Sequence, residues 1–168
     1  MLKTFLLASV AGSLSLVSVA AQARATDTDK SFLTQDVQGG RYELELAKLG
    51  TTKATKPTIR HYAQMVAHDH VQANSALTRL AKMESVNAPS GMTSKDEAML
   101  TKLKTMSGSN FNRAFVDEMN RINAEDKQSA DQEKASTNES AIKSYTSRFA
   151  AMDAKHKKLA AELRSAVS

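Results

Sequence analysis

The chain has 168 residues, no cysteine, no tryptophan and only 5% aromatic residues. That length suits one domain with an ordinary core, and the lack of thiols excludes disulfides and a lipoprotein-type signal. The formal charge of +5 comes from basic groups scattered among acids, without the basic runs and interleaved aromatics of a nucleic-acid binder.

The first 25 residues read as a signal peptide. Lys3 gives a positive start, Phe5 to Ala20 is apolar and small, and Ala21-Gln22-Ala23 fits a small-x-small cleavage site, with Ala25 the next choice. The apolar run is short for a membrane span, which needs about 20 residues. Removal takes away Lys3 and Arg24 and no acid, so 23 basic groups fall by two against 18 acids and the net charge from +5 to +3. The expected product is a periplasmic or secreted single domain over residues 26–168, without a transmembrane span.

Residues 25–30 are polar and expected to fray. A first helix is predicted from about Ser31 to Leu49, with Phe32, Leu33, Gly40, Leu44, Leu46 and Ala47 inward. Asp36 and Glu43, seven residues apart, share that face. Gly39-Gly40 costs helix stability, about 1 kcal/mol per glycine relative to alanine, which points to a close helix approach or to a kink. Gly50 reads as a helix stop.

The second helix runs from Pro57 to about Glu84, with proline in the first turn where its missing N–H is not needed. At 100° per residue, Ile59, Tyr62, Ala63, Val66, Ala73, Leu77, Leu80 and Ala81 form one stripe. His70 falls in the middle of it and Asp69 at its flank. His61 and His68 point the other way, about 10 Å apart along the axis, and read as solvated. His70 is either a core imidazole bonded to a neighbouring helix, or a metal ligand or proton-transfer group.

Pro89 and Gly91 mark a loop. Ser94-Lys95-Asp96-Glu97 has a capping-box pattern and opens a short helix with Met99, Leu100, Leu103 and Met106. Ser107-Gly108-Ser109 predicts a break or kink. A third long helix is expected from about Asn110 to Lys134, with Phe111, Phe115, Met119 and Ile122 inside. Glu118, Asp126 and Glu133 share its inner face, and Asn112 and Asn123 lie on the edge. Ser136-Thr137-Asn138-Glu139 is a second capping-box pattern. The last helix, ending near Val167, carries Ile142, Tyr145, Phe149, Met152, Leu159 and Leu163 in its stripe, with His156 at the centre and Asp153 beside it. Four long amphipathic helices with short links predict an all-α, four-helix bundle with an extra short helix or kink before the third long helix.

Three segments carry a resemblance to a known family. They are GGRYELELAKLG from Gly39 to Gly50, IRHYAQMVAHDH from Ile59 to His70, and LKTMSG from Leu103 to Gly108 with Phe111 and Phe115 after it. The chain resembles DUF4142, ferritin-like exported bacterial proteins that often carry an outer-membrane-protein label. The resemblance spans about residues 30–164 and implies a fold more than a function, since no activity is established for the family. It matches the family's first-helix glutamate with Glu43 and its terminal-helix histidine with His156. It departs where the family usually has Asp and His, at Asn112 and Asn123.

A di-iron bundle uses a Glu from each of two helices and Glu-x-x-His from the other two. This chain has no Glu-x-x-His; its nearest pattern is Asp153-Ala154-Lys155-His156. The inward candidates are Glu43, Asp69, His70, Asp153 and His156, joined by Asp126. They suit one Zn²⁺, Fe²⁺ or Mn²⁺ ion, or equally a buried hydrogen-bond and ion-pair network. The methionines are spread through the chain and read as core filling. No Gly-x-Ser-x-Gly turn or phosphate loop exists, and no catalytic residue is assigned. The leading expectation is a non-catalytic envelope or stress-related role. The alternatives are a metal-binding protein or metal-dependent oxidoreductase, and a helical module binding a protein partner or a second copy of itself.

Overall fold

The computed structural model describes residues 24–167. The expected signal segment, up to and including cleavage after Ala23, lies outside the described residues. Five helices follow in order: α1 (Asp27–Lys53), α2 (Pro57–Met83), α3 (Ser94–Thr105), α4 (Gly108–Ser136) and α5 (Ser140–Val167). Among the described residues there is no strand, and no helix is long and apolar enough to cross a membrane.

α1 starts four residues earlier than its apolar stripe suggests, because Thr26 and Asp29 form a capping box. Thr26 Oγ1 accepts from Asp29 N at 3.2 Å, and Asp29 Oδ2 accepts from Thr26 N at 2.6 Å. Residues 27–30 are therefore helical. The helix also passes through Gly50 and ends at Lys53. Gly50 is a contact site rather than a stop: a Cβ there would lie 2.6 Å from the Phe115 ring and 2.8 Å from Ala63 Cβ. Helix α1 is continuous through Gly39-Gly40, so the close-approach reading holds. Asn74 of α2 donates to the Gly40 carbonyl at 2.7 Å.

The cap of α3 is Thr93, one residue before the expected Ser94; its Oγ1 accepts from Asp96 N at 3.2 Å. The break falls at Met106-Ser107, and Gly108 supplies the positive φ of 58° that reopens the chain into α4. The Ser136–Glu139 pattern does not form a capping box. Ser136 is still helical and its hydroxyl donates back to the Glu133 carbonyl at 3.3 Å, while Glu139 Oε1 accepts from Ala141 N at 3.1 Å to start α5.

α1 packs along α2, and α4 along α5; contacts of α2 with α5 and of α1 with α4 close the square. One apolar cluster joins the end of α1 (Tyr42, Leu46), the start of α2 (Ile59, Val66), the start of α4 (Phe111, Phe115, Met119) and Ala160 near the end of α5. The other joins the start of α1 (Phe32, Leu33, Val37), the end of α2 (Leu77, Leu80) and Ile142 of α5. Neighbouring helices are therefore antiparallel, α2 and α4 run the same way, and the segment containing α3 is the long crossover. The bundle has one such crossover, the ferritin-like connection.

Asn112 and Asn123 are inside rather than on an edge. Asn112 ties the α1–α2 link to α4, accepting from Thr55 N at 3.0 Å and donating to Thr55 Oγ1 at 2.7 Å. Asn123 donates to the Met119 carbonyl at 2.5 Å and to the Tyr62 hydroxyl at 3.3 Å.

Candidate functional site

Between the two apolar clusters lies a polar layer built from all four long helices. α1 supplies Asp36 and Glu43, two turns apart on one face; α2 supplies His70, α4 Asp126 and α5 Asp153. All five line one cavity of about 40 Å³, together with Tyr145, and no lysine or arginine lines it. A polar cavity of that size holds a water or a small ion, since about 10–15 Å³ suffices for one water.

His70 is the unusual member. It is 5% exposed. Its Nε2 lies 3.3 Å from Glu43 Oε2, within ion-pair distance, but the angle makes no hydrogen bond. Both ring nitrogens are buried without a hydrogen-bond partner. Buried polar atoms are nearly always paired, so an imidazole with both nitrogens open is costly unless something else meets it.

The carboxyls are held away from their ordinary ionisation. Burial, with the like charge of Asp153 and Asp36 added, pushes Glu43 up to about 8. Burial raises Asp36 to about 6 against the hydrogen bond from the Tyr145 hydroxyl. Burial raises Asp153 to about 6, and burial with the charge of Glu43 raises Asp126 far above the carboxylate range. Glu43 and Asp126 are hydrogen-bonded to each other. Two acids in contact in a desolvated site cannot both ionise, so the pair keeps a shared proton near neutral pH. Burial lowers His70, which keeps its imidazole neutral despite the surrounding carboxylates.

Among known proteins, the family described as Domain of unknown function (DUF4142) matches residues 15–163. The chain belongs to the DUF4142 family. A solved structure titled as the crystal structure of a DUF305 fragment from Deinococcus radiodurans is similar in fold, with a TM-score of 0.73 at 12% identity. The match covers 85% of this chain and 99% of that one. No curated protein matches.

In this DUF4142 bundle the six candidates fall into two groups. Glu43, His70, Asp126 and Asp153 meet at the cavity. His156 and Asp69 pair with each other, Nε2 to Oδ2 at 3.0 Å, one step along the bundle. The two groups touch through the histidines, whose rings stack with centroids 5.6 Å apart and planes at 28°. No three His, Asp or Glu side chains among the described residues stand ready as a metal-holding group. The amides that depart from the family pattern, Asn112 and Asn123, are bonded to Thr55, Tyr62 and backbone.

Two cavity residues were not in the expected set. Asp36 falls on the inner face of the predicted helix, and its seven-residue spacing from Glu43 is the signal for it. Tyr145 reads as core in the sequence, although a tyrosine in a stripe needs a hydroxyl partner when buried. A second acid pair, Asp29 and Glu133, sits at the start of α1. Burial and the Asp29 contact raise Glu133 to about 7. Hydrogen bonds from Thr137, Glu133 and Thr26 outweigh burial and hold Asp29 at about 2.

Proposed function

We propose that this DUF4142 protein is exported to the periplasm and acts there by binding, in a non-catalytic envelope or stress-related role, with the cavity among Asp36, Glu43, His70, Asp126 and Asp153 as its binding site. One observation carries the binding half: His70 is buried with neither ring nitrogen hydrogen-bonded, facing a cavity ringed by acids. The export half rests on Lys3, the apolar run to Ala20 and the small residues at Ala21 and Ala23. The cavity's two hydroxyls are engaged, Tyr145 with Asp36 and Thr146 with the Ile142 and Lys143 carbonyls, which supports binding over hydrolysis. The oxidoreductase alternative is less well supported, because Asn112 and Asn123 spend their polar atoms on Thr55 and Tyr62. A partner-binding role would use the groove between the start of α2 and the end of α5, about 450 Å³, lined by Met65, Leu159 and Leu163 among others.

Cell fractionation with mass spectrometry tests both halves. The expected result is an envelope-fraction protein lacking 23 to 25 residues, whose native mass exceeds its denatured mass. A chain still beginning at Met1 in the envelope rejects cleaved export. Equal native and denatured masses reject an occupied cavity.

A further inference from the structure

Deepening that reading, and resting on it, we infer that the cavity is a site for one divalent transition-metal cation, with Glu43, Asp126 and His70 as its principal ligands and Asp36 and Asp153 completing the oxygen shell. Four carboxyl groups face one cavity, and no lysine or arginine lines it. One buried anion elsewhere in this chain has its own cation: Glu118 has Arg121 at 2.6 Å. Here the counter-charge is missing, and a doubly charged ion neutralises two carboxylates at once.

Size and chemistry narrow the ligand. A cavity of about 40 Å³ is far below the roughly 300–1,000 Å³ of organic-ligand sites, and its acids repel anions. A neutral imidazole with a free lone pair favours Mn²⁺, Fe²⁺ or Zn²⁺ over the all-oxygen shells of Mg²⁺ and Ca²⁺. His70 supplies that lone pair, since neither ring nitrogen is engaged in a hydrogen bond.

The supporting contacts are also present. The Tyr145 hydroxyl bonds Asp36. His156 is fixed by Asp69 and its ring lies against His70. Such outer contacts orient ligands without touching the ion. Because no three donors stand assembled, the ion must draw Glu43, Asp126 and His70 inward by side-chain rotation. Each comes from a different helix, so closure ties α1, α2 and α4 together and stabilises the bundle.

The test is titration of the purified, chelator-stripped full chain with Mn²⁺ and Zn²⁺, following stoichiometry and melting. The expected result is one ion per chain and a higher melting temperature. Binding should weaken at least tenfold in Asp126→Asn and in His70→Gln, and stay unchanged in the exposed control Asp131→Asn. Circular dichroism confirms that each variant is helical. If either cavity variant fails to fold, electron spin-echo spectroscopy of Mn²⁺ on a His61→Ala, His68→Ala background must still show imidazole nitrogen coupling. No ion bound, or affinity indifferent to both cavity variants, overturns the inference. A native adduct other than a metal ion, with neither metal binding, overturns the cation and leaves the cavity's binding role standing. No adduct and no ion removes both.

Discussion

Glu43 and Glu118 are both 5% exposed glutamates inside the same bundle, and their surroundings are opposite. Glu118 takes the Tyr42 hydroxyl at 2.8 Å and two guanidinium bonds from Arg121, at 2.6 and 3.0 Å. Burial alone would raise its pKa, but Arg121 and Tyr42 outweigh burial and leave it lowered. Glu43 has a second acid, two more nearby, and an imidazole that makes no hydrogen bond to it. It is raised to about 8. An interior anion that carries its own cation is a fixed part of the scaffold. An interior acid cluster without one is held together by protons and remains open to an ion from outside.

The largest expected effect comes from making Glu118 resemble Glu43. Arg121→Met strands a buried carboxylate. Breaking a fully buried pair costs about 3–5 kcal/mol. Arg121 keeps 31% of its side chain accessible, so the expected loss is about 2–3 kcal/mol, below the fully buried case. Urea unfolding measures it, and a loss below about 0.5 kcal/mol would place the pair with ordinary surface bridges.

The next effect is a pH dependence in the chelated protein. Glu43 at about 8, Glu133 at about 7 and Asp126 well above normal keep protons that the unfolded chain has already released. A raised acid contributes stability that is full below its unfolded value and is lost as pH rises through the folded one. His70 and His156 are lowered, so their contribution is present above pH 6.5 and lost below it. Between pH 6.5 and 8 the acids outweigh the histidines, whose unfolded rings release their remaining half-proton just above 6.5, and stability should fall by about 1–2 kcal/mol, at up to 1.4 kcal/mol per pH unit for each retained proton. A flat profile across that window in thermal melts would show that the cavity acids ionise normally.

How legible was this from the chain alone? The helices and their inward stripes were, because a 3.6-residue period is a local property. His70, Glu43, Asp126 and Asp153 were placed inward correctly for the same reason. Partner choice was not legible. His156 and Asp69 are 87 residues apart, and nothing in either stripe says that they bond to each other rather than to the cavity. The misread glycine has the same cause. Gly50 looks like a stop by local rules, and only the packing of Phe115 against it gives its use. The early start of α1 was readable, since Thr26-x-x-Asp29 is a capping pattern in plain sight.

The smallest effect is the most discriminating, because its sign is at stake. Glu43→Gln keeps the shape of the side chain and removes its ionisation. Its amide can donate to Asp126 or to the open nitrogen of His70. At pH 6.5 the folded glutamate still holds its proton but the unfolded one has released it, so the variant, which never ionises, should already be the more stable. Toward pH 8 the unfolded wild type gains further from its ionised carboxyl, and the variant's advantage should grow by about 1 kcal/mol over its value at pH 6.5. The wild-type loss between the two pH values should shrink with it. A scaffold anion behaves the other way: neutralising Glu118 leaves Arg121 without its partner and costs stability at both pH values. If Glu43→Gln is also destabilising at both, Glu43 is a structural anion of the Glu118 kind, and the distinction between scaffold and receptor fails at its central residue.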